Sequence, residues 1–155
     1  MLNNAHSPTG AVLSEDDLRE AIRIADSCGA MVHVDEVYRG IAYDQPTPTA
    51  MSIDPRVLIT SGMSKVYGLP GIRLGWIIAP RQVIEACAVI RDYTSICPSC
   101  LSERLSSVVL AKREVFLERS NALARTNLEI VDDWMMKNSD MLLWSRPRGG
   151  VVCFP

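Results

Sequence analysis

Ser64-Lys65-Val66-Tyr67-Gly68-Leu69-Pro70-Gly71-Ile72-Arg73-Leu74-Gly75-Trp76 sets a lysine and an arginine on either side of a Gly-Leu-Pro-Gly loop. On the N-terminal side, residues 57–60 are short and apolar and read as a buried strand. On the C-terminal side, residues 72–79 read as another, broken by Gly75 and ended by Pro80. Glycines in such a loop let the backbone come close to a ligand. A lone loop lysine is ordinarily just solvated. Here Ser64 precedes it and Arg73 follows, so a hydroxyl, an amine and a guanidinium gather just past a strand.

Working outward, residues 30–34 are a second short apolar run, and Asp35 closes it. The C-terminal end of a strand is where open α/β sheets bind ligands. Tyr38 follows on the same short loop. Upstream, residues 3–10 (NNAHSPTG) are turn formers and read as a loop. Ser14 with Asp17 three residues on forms a helix-opening pair, Leu18, Ala21, Ile22 and Ala25 recur at helical spacing, and Gly29 stops the helix. Downstream, a helix is expected from residue 80 to about 93. From about 99 to 136 the chain reads as one long bent helix or two. Residues 141–144 and 151–154 read as strands around Arg146-Pro147-Arg148-Gly149-Gly150. Strands alternating with helices predict an α/β fold, a mainly parallel sheet with flanking helices. The shift to long helix plus short strands predicts a boundary, with residues 1–98 in a first domain and 99–155 beginning a small α+β domain.

Composition narrows the class. The chain has 155 residues, 48% hydrophobic and 22% charged, which is globular rather than disordered. A net charge of −2 and no basic run argue against a nucleic-acid surface. No apolar run reaches membrane-span length, and no leader is visible at residue 1. Five cysteines at irregular spacing suit reduced thiols in a cytoplasm better than a disulfide framework. The Cys97-Pro-Ser-Cys100 pair lacks a second ligand pair, so no metal site is expected. His33 reads as a packed histidine, and Glu36 should point away from Asp35.

Four motifs in order carry a resemblance. The stretch 64–76 looks like the SKxxGLPGxRxGW signature of class I/II aminotransferases of fold type I, which use pyridoxal 5'-phosphate (PLP). Asp35-Glu36-Val37-Tyr38 resembles that family's DExY segment, residues 3–10 its NNPxNPTG loop, and Gly149-Gly150 with the residues after it its GGxFxF strand. The resemblance implies the large domain of a PLP transferase, incomplete, with part of its small domain. PLP chemistry asks a protein for an amine, a carboxylate against the pyridine nitrogen, a donor to the ring oxygen, and a phosphate cup. By resemblance, Lys65 is the catalytic lysine that forms the Schiff base and moves the proton at the amino-acid α-carbon. Asp35 partners the ring nitrogen, Tyr38 and Ser7 donate to the ring oxygen, and Ser64 and Arg73 hold the phosphate. The implied reaction transfers an amino group between an amino acid and a 2-oxo acid in a homodimer. The same motifs serve lyases, cyclases and oxidases.

Two departures bear on this. Ser7 stands where the family usually has an asparagine, which slightly favours a reaction other than transamination while leaving transamination the leading expectation. Gly62 stands where a phosphate-binding Ser or Thr is common. Family members are also more than twice as long. The chain therefore reads as a fragment, lacking a glycine-rich phosphate loop upstream and a carboxylate-binding arginine downstream. A truncated domain that folds without cofactor is the competing expectation.

Overall fold

A computed structural model describes residues 1–155. Ser14 opens helix α1 (Glu15–Ser27). Its hydroxyl accepts from the Asp17 N–H at 3.1 Å, and the Asp17 carboxylate accepts from the Ser14 N–H at 2.8 Å. This reciprocal pair satisfies two of the helix's unpaired donors. The carboxylate of Asp17 is held below its ordinary range chiefly by the Ser14 hydroxyl. Leu18 and Ile22, four apart, turn inward together.

Four strands form one sheet in sequence order: β1 (Leu2–Asn3), β2 (His33–Asp35), β3 (Leu58–Gly62) and β4 (Gly75–Ile78). The first three are parallel and β4 is antiparallel to β3. Parallel neighbours need a crossover, which α1 supplies between β1 and β2. Leu18, Ile22, Val34, Ala50, Val57 and Ile59 form the main core between α1 and the sheet. Three helices follow: α2 (Arg81–Thr94), α3 (Cys100–Ala111) and α4 (Arg113–Lys137). No helix is long and apolar enough to cross a membrane.

The expected α/β architecture is present, with two refinements and one correction. The 99–136 stretch is two helices that break at Lys112, without a Gly or Pro to break it. They part because their partners differ. α3 packs on the 3-10 turn Pro70–Ile72, whereas α4 swings to residues 40–43. β4 starts at Gly75, because Ile72 is taken up by that turn. The correction concerns residues 141–144 and 151–154, which form no strands. A strand exists only through its ladder, and neither segment pairs with a strand of the sheet. Only Gly149 pairs, in an isolated antiparallel bridge to Ala42. The helical half is thinly covered: α2 buries no residue at all.

Candidate active site

The site grows from the parallel pairing of β2 and β3, which sets Asp35 opposite Thr60. Both strands therefore finish on one edge of the sheet. The Asp35 carboxylate accepts from the Val37 N–H at 3.1 Å, which turns the chain out of the sheet toward Tyr38. The Asp35 carbonyl accepts from the Asn4 N–H and the Asn3 side-chain amide, both at 3.0 Å. The Asn3 side-chain oxygen Oδ1 in turn accepts from the Ser7 N–H at 2.7 Å. One asparagine thus ties the 3–10 loop to the strand end.

Glu36 faces the other way, as expected of its neighbour position. It is buried and accepts from the Thr49 hydroxyl at 2.9 Å and the Ala50 N–H at 2.8 Å, with Arg39 at 3.6 Å. Burial pushes its carboxyl above the ordinary range, and those hydrogen bonds and Arg39 act against the rise. His33 is a packed histidine, its Nε2 lying 2.9 Å from the Thr60 hydroxyl.

Lys65 sits on a closed loop. The Met63 N–H donates to the Leu74 carbonyl, and the Leu69 N–H to the Met63 carbonyl, each at 3.0 Å. Met63 is fully buried and Val66 nearly so. With those two side chains anchored inward, Lys65 between them is exposed. Its ammonium lies 5.5 Å from the centroid of the buried Tyr38 ring, within cation–π range. Arg73 has left-handed backbone angles (φ 54°, ψ 39°), and its guanidinium donates to the Pro70 carbonyl at 3.1 Å. That conformation is uncommon for a residue with a side chain.

Gly62 faces Gly75 across the β3–β4 ladder. A Cβ on Gly62 would lie 3.0 Å from the Leu74 carbonyl oxygen, and one on Gly75 would lie 2.9 Å from the Ser61 oxygen. The departure at Gly62 thus has a local cause: the strands meet there through bare backbone.

Asp35, Ser64 and Arg73 line one cleft of about 310 Å³ with Thr60, Ser61 and Gly62. Lys65 lies outside that lining. It borders a neighbouring apolar cleft of about 300 Å³ with Ile41, Tyr43, Leu128 and Val152. Tyr38 bridges toward Lys65 through its ring. Ser7 is exposed and lines neither cleft. The Cys97 and Cys100 thiols are free and exposed. Asn3 was not singled out from the sequence, nor were Asn121 and Arg125 of α4, which line neither cleft and hydrogen-bond the backbone of residues 40, 42 and 43 downstream of Tyr38. Asn3 lay in view inside the NNxxxPTG motif. The other two carry no local signal.

The whole chain, residues 1–155, matches the family described as aminotransferase class I and II. The chain belongs to this family. Capreomycidine synthase of Streptomyces vinaceus is 30% identical over 156 residues, which cover 100% of this chain and 40% of that protein. A PLP-dependent aminotransferase from Streptococcus suis superposes with a TM-score of 0.87 at 35% identity, over 95% of this chain and 39% of that one. The PLP-dependent cyclase OrfR superposes with a TM-score of 0.85 at 30% identity, over 96% and 39%. This aminotransferase-family chain therefore spans about two fifths of the length of the relatives it matches.

Proposed function

We propose that the protein carrying this chain transfers an amino group between an amino acid and a 2-oxo acid, using pyridoxal 5'-phosphate. The observation that carries this reading is the meeting of Asp35, Ser64 and Arg73 in one cleft at the strand ends, beside an exposed Lys65. The donor set suits the cofactor: a carboxylate for a ring nitrogen, and a hydroxyl and a guanidinium for a phosphate. A cleft of about 310 Å³ falls within the size range of small-molecule sites.

When bound, PLP supplies an electron sink for the carbanion formed at an amino-acid α-carbon. The residues of this chain do the rest. Lys65 is the covalent attachment point through Nζ, and that same amine takes and returns the α-proton. Lys65 is exposed, with its amine 5.5 Å from the centroid of the Tyr38 ring. Asp35 would hold a proton on the ring nitrogen, its carboxylate being oriented by the Val37 N–H at 3.1 Å. Tyr38 donates toward the ring oxygen, with Ser7 as a second donor on the loop that Asn3 ties down. Ser64 and Arg73 bind the phosphate. Residues 1–98 carry these groups and residues 99–155 begin a second domain. A homodimer in a reducing cytoplasm is the setting we propose, in keeping with five free cysteines.

A second reading has support from two observations. OrfR is a PLP-dependent cyclase that superposes on 96% of the chain. Ser7 also replaces the amide usual in transaminases. Under that reading the same residues bind the cofactor, and the product is a ring rather than a 2-oxo acid.

The test is a titration of the full-length protein with PLP, followed by visible absorption. A cofactor band that disappears in Lys65→Ala, with borohydride fixing the cofactor to the peptide containing Lys65, is the expected result. A band that survives the substitution refutes the assignment. Incubation with amino acids and a 2-oxo acid then separates the readings: stoichiometric exchange of the amino group supports the transferase, and cyclised product supports the cyclase.

A further inference from the structure

Residues 40–43 follow Tyr38 and belong to neither helix nor strand, yet their peptide groups are almost fully satisfied by distant parts of the chain. The Asn121 amide, on α4, donates to the Gly40 carbonyl at 2.5 Å and accepts from the Ala42 N–H at 3.2 Å. Its other amide hydrogen goes to the Leu117 carbonyl of its own helix at 2.9 Å, which fixes the side chain's direction. One turn on, the Arg125 guanidinium donates to the Ala42 carbonyl at 2.6 Å and the Tyr43 carbonyl at 2.8 Å. From the other side, the Gly150 N–H donates to the Ile41 carbonyl and the Tyr43 N–H to the Arg148 carbonyl, both at 3.0 Å. The Tyr43 hydroxyl donates to the Gly150 carbonyl at 2.8 Å.

The segment starts two residues after Tyr38, whose own carbonyl accepts from the Ile41 N–H at 3.2 Å. A Cβ on Gly150 would lie 3.8 Å from the Tyr38 ring, so the 148–150 turn also walls in that ring. The Tyr38 ring is the surface over which the Lys65 ammonium sits. The chain of contact therefore runs from α4 through the backbone of 40–43 to Tyr38 and Lys65.

From this we infer that Asn121 and Arg125 are positioning residues: they hold the 40–43 backbone, and through it hold Tyr38 beside Lys65. The inference rests on the proposed PLP chemistry for its functional meaning, while the backbone latch itself stands independently. Asn121 supplies a donor and an acceptor side by side, which matches the alternating carbonyl and N–H of Gly40 and Ala42. Arg125 supplies two donors in a rigid fork, which matches two successive carbonyls. A lysine at 125 carries its donors on a single nitrogen and lacks that fork.

The experiment compares the full-length wild type with Asn121→Ser, Arg125→Lys and Asp132→Asn. The last is a control: it removes the 2.8 Å ion pair between Asp132 of α4 and Arg146, without touching residues 40–43. Two readouts are taken: amide exchange of the peptide spanning 38–43, and the pH midpoint of the visible cofactor band. Asn121→Ser and Arg125→Lys are expected to speed exchange in that peptide about tenfold, the loss of about one net hydrogen bond, and to move the midpoint. Asp132→Asn should change neither. Unchanged exchange in both latch variants overturns the inference, as does an equal effect from Asp132→Asn, which would mean general helix docking. If exchange speeds up but the wild type shows no Lys65-dependent band, the latch survives and the PLP reading fails.

Discussion

Replacing Gly62 by serine would restore the hydroxyl common at this position in the family, and the structure predicts that it costs stability instead. The backbone of Gly62 does not lie in the left-handed region, so the cost is steric alone. Its new Cβ would meet the Leu74 carbonyl oxygen at 3.0 Å and the Gly75 Cα at 3.2 Å. Both neighbours are backbone atoms in the β3–β4 ladder, and neither can rotate away. Relief requires the two strands to part by a few tenths of an ångström beside the Met63 to Leu74 hydrogen bond. Overpacking of this kind costs about 1–3 kcal/mol, and for a chain of this size each kcal/mol lowers Tm by about 2–4 °C. Thermal unfolding of a graded series checks the argument. Gly75→Ala should destabilise at least as much as Gly62→Ala, since its Cβ would lie 2.9 Å from the Ser61 oxygen. Gly71→Ala meets no atom within 4 Å and should be neutral or stabilising by up to about 1 kcal/mol. If Gly62→Ser matches the wild-type Tm, or if the three alanine substitutions at 62, 71 and 75 are indistinguishable, the tight seam is not real.

Other outcomes follow from single residues. Arg73→Gly relieves a φ of 54°, so the apo protein should gain about 1 kcal/mol while PLP binding weakens; a fall in both Tm and affinity would show that the left-handed backbone carries no strain. Glu36→Gln should flatten part of the stability–pH curve. Burial raises the folded-state pKa of Glu36 above its unfolded value of about 4.5, so its contribution is complete at lower pH and is lost as pH rises through the raised value. The wild-type minus Glu36→Gln difference in Tm should therefore fall as pH increases from 4 toward 7, and a difference that rises would reverse the assignment. Lys65→Ala and the two latch variants complete the set, with the readouts given above.

Much of the near half of the site was legible because it is local. The Ser14–Asp17 pair announces α1, and the 64–76 motif lies between two strands whose apolar runs are visible. Asp35 sits at the end of a third. Parallel pairing then brings Asp35 and Ser64 to one edge with no further information. The far half was hidden for physical reasons. Asn121 and Arg125 reach residues 79 to 83 positions away, and an asparagine and an arginine on an exposed helix look like ordinary surface. The break at Lys112 has no Gly or Pro to mark it. It depends on where α3 and α4 find partners, which is a tertiary matter. The expected strands at 141–144 and 151–154 had the right residues and lacked a ladder. β-propensity describes a fit to neighbours, and a segment without neighbours cannot express it.

The span of the latch also sets an order of assembly. The cleft of Asp35, Ser64 and Arg73 depends on contacts made within the first half of the chain, so it can close once β3 has docked on β2 and β4 on β3. The ring of Tyr38 is fixed only when Gly150 arrives, 107 residues after its partner Tyr43. Contacts of long sequence separation form late. A nascent polypeptide halted before α4 would thus own the Asp35–Ser64–Arg73 cleft and still have a loose tyrosine beside its lysine, so the two halves would be ordered in succession rather than together.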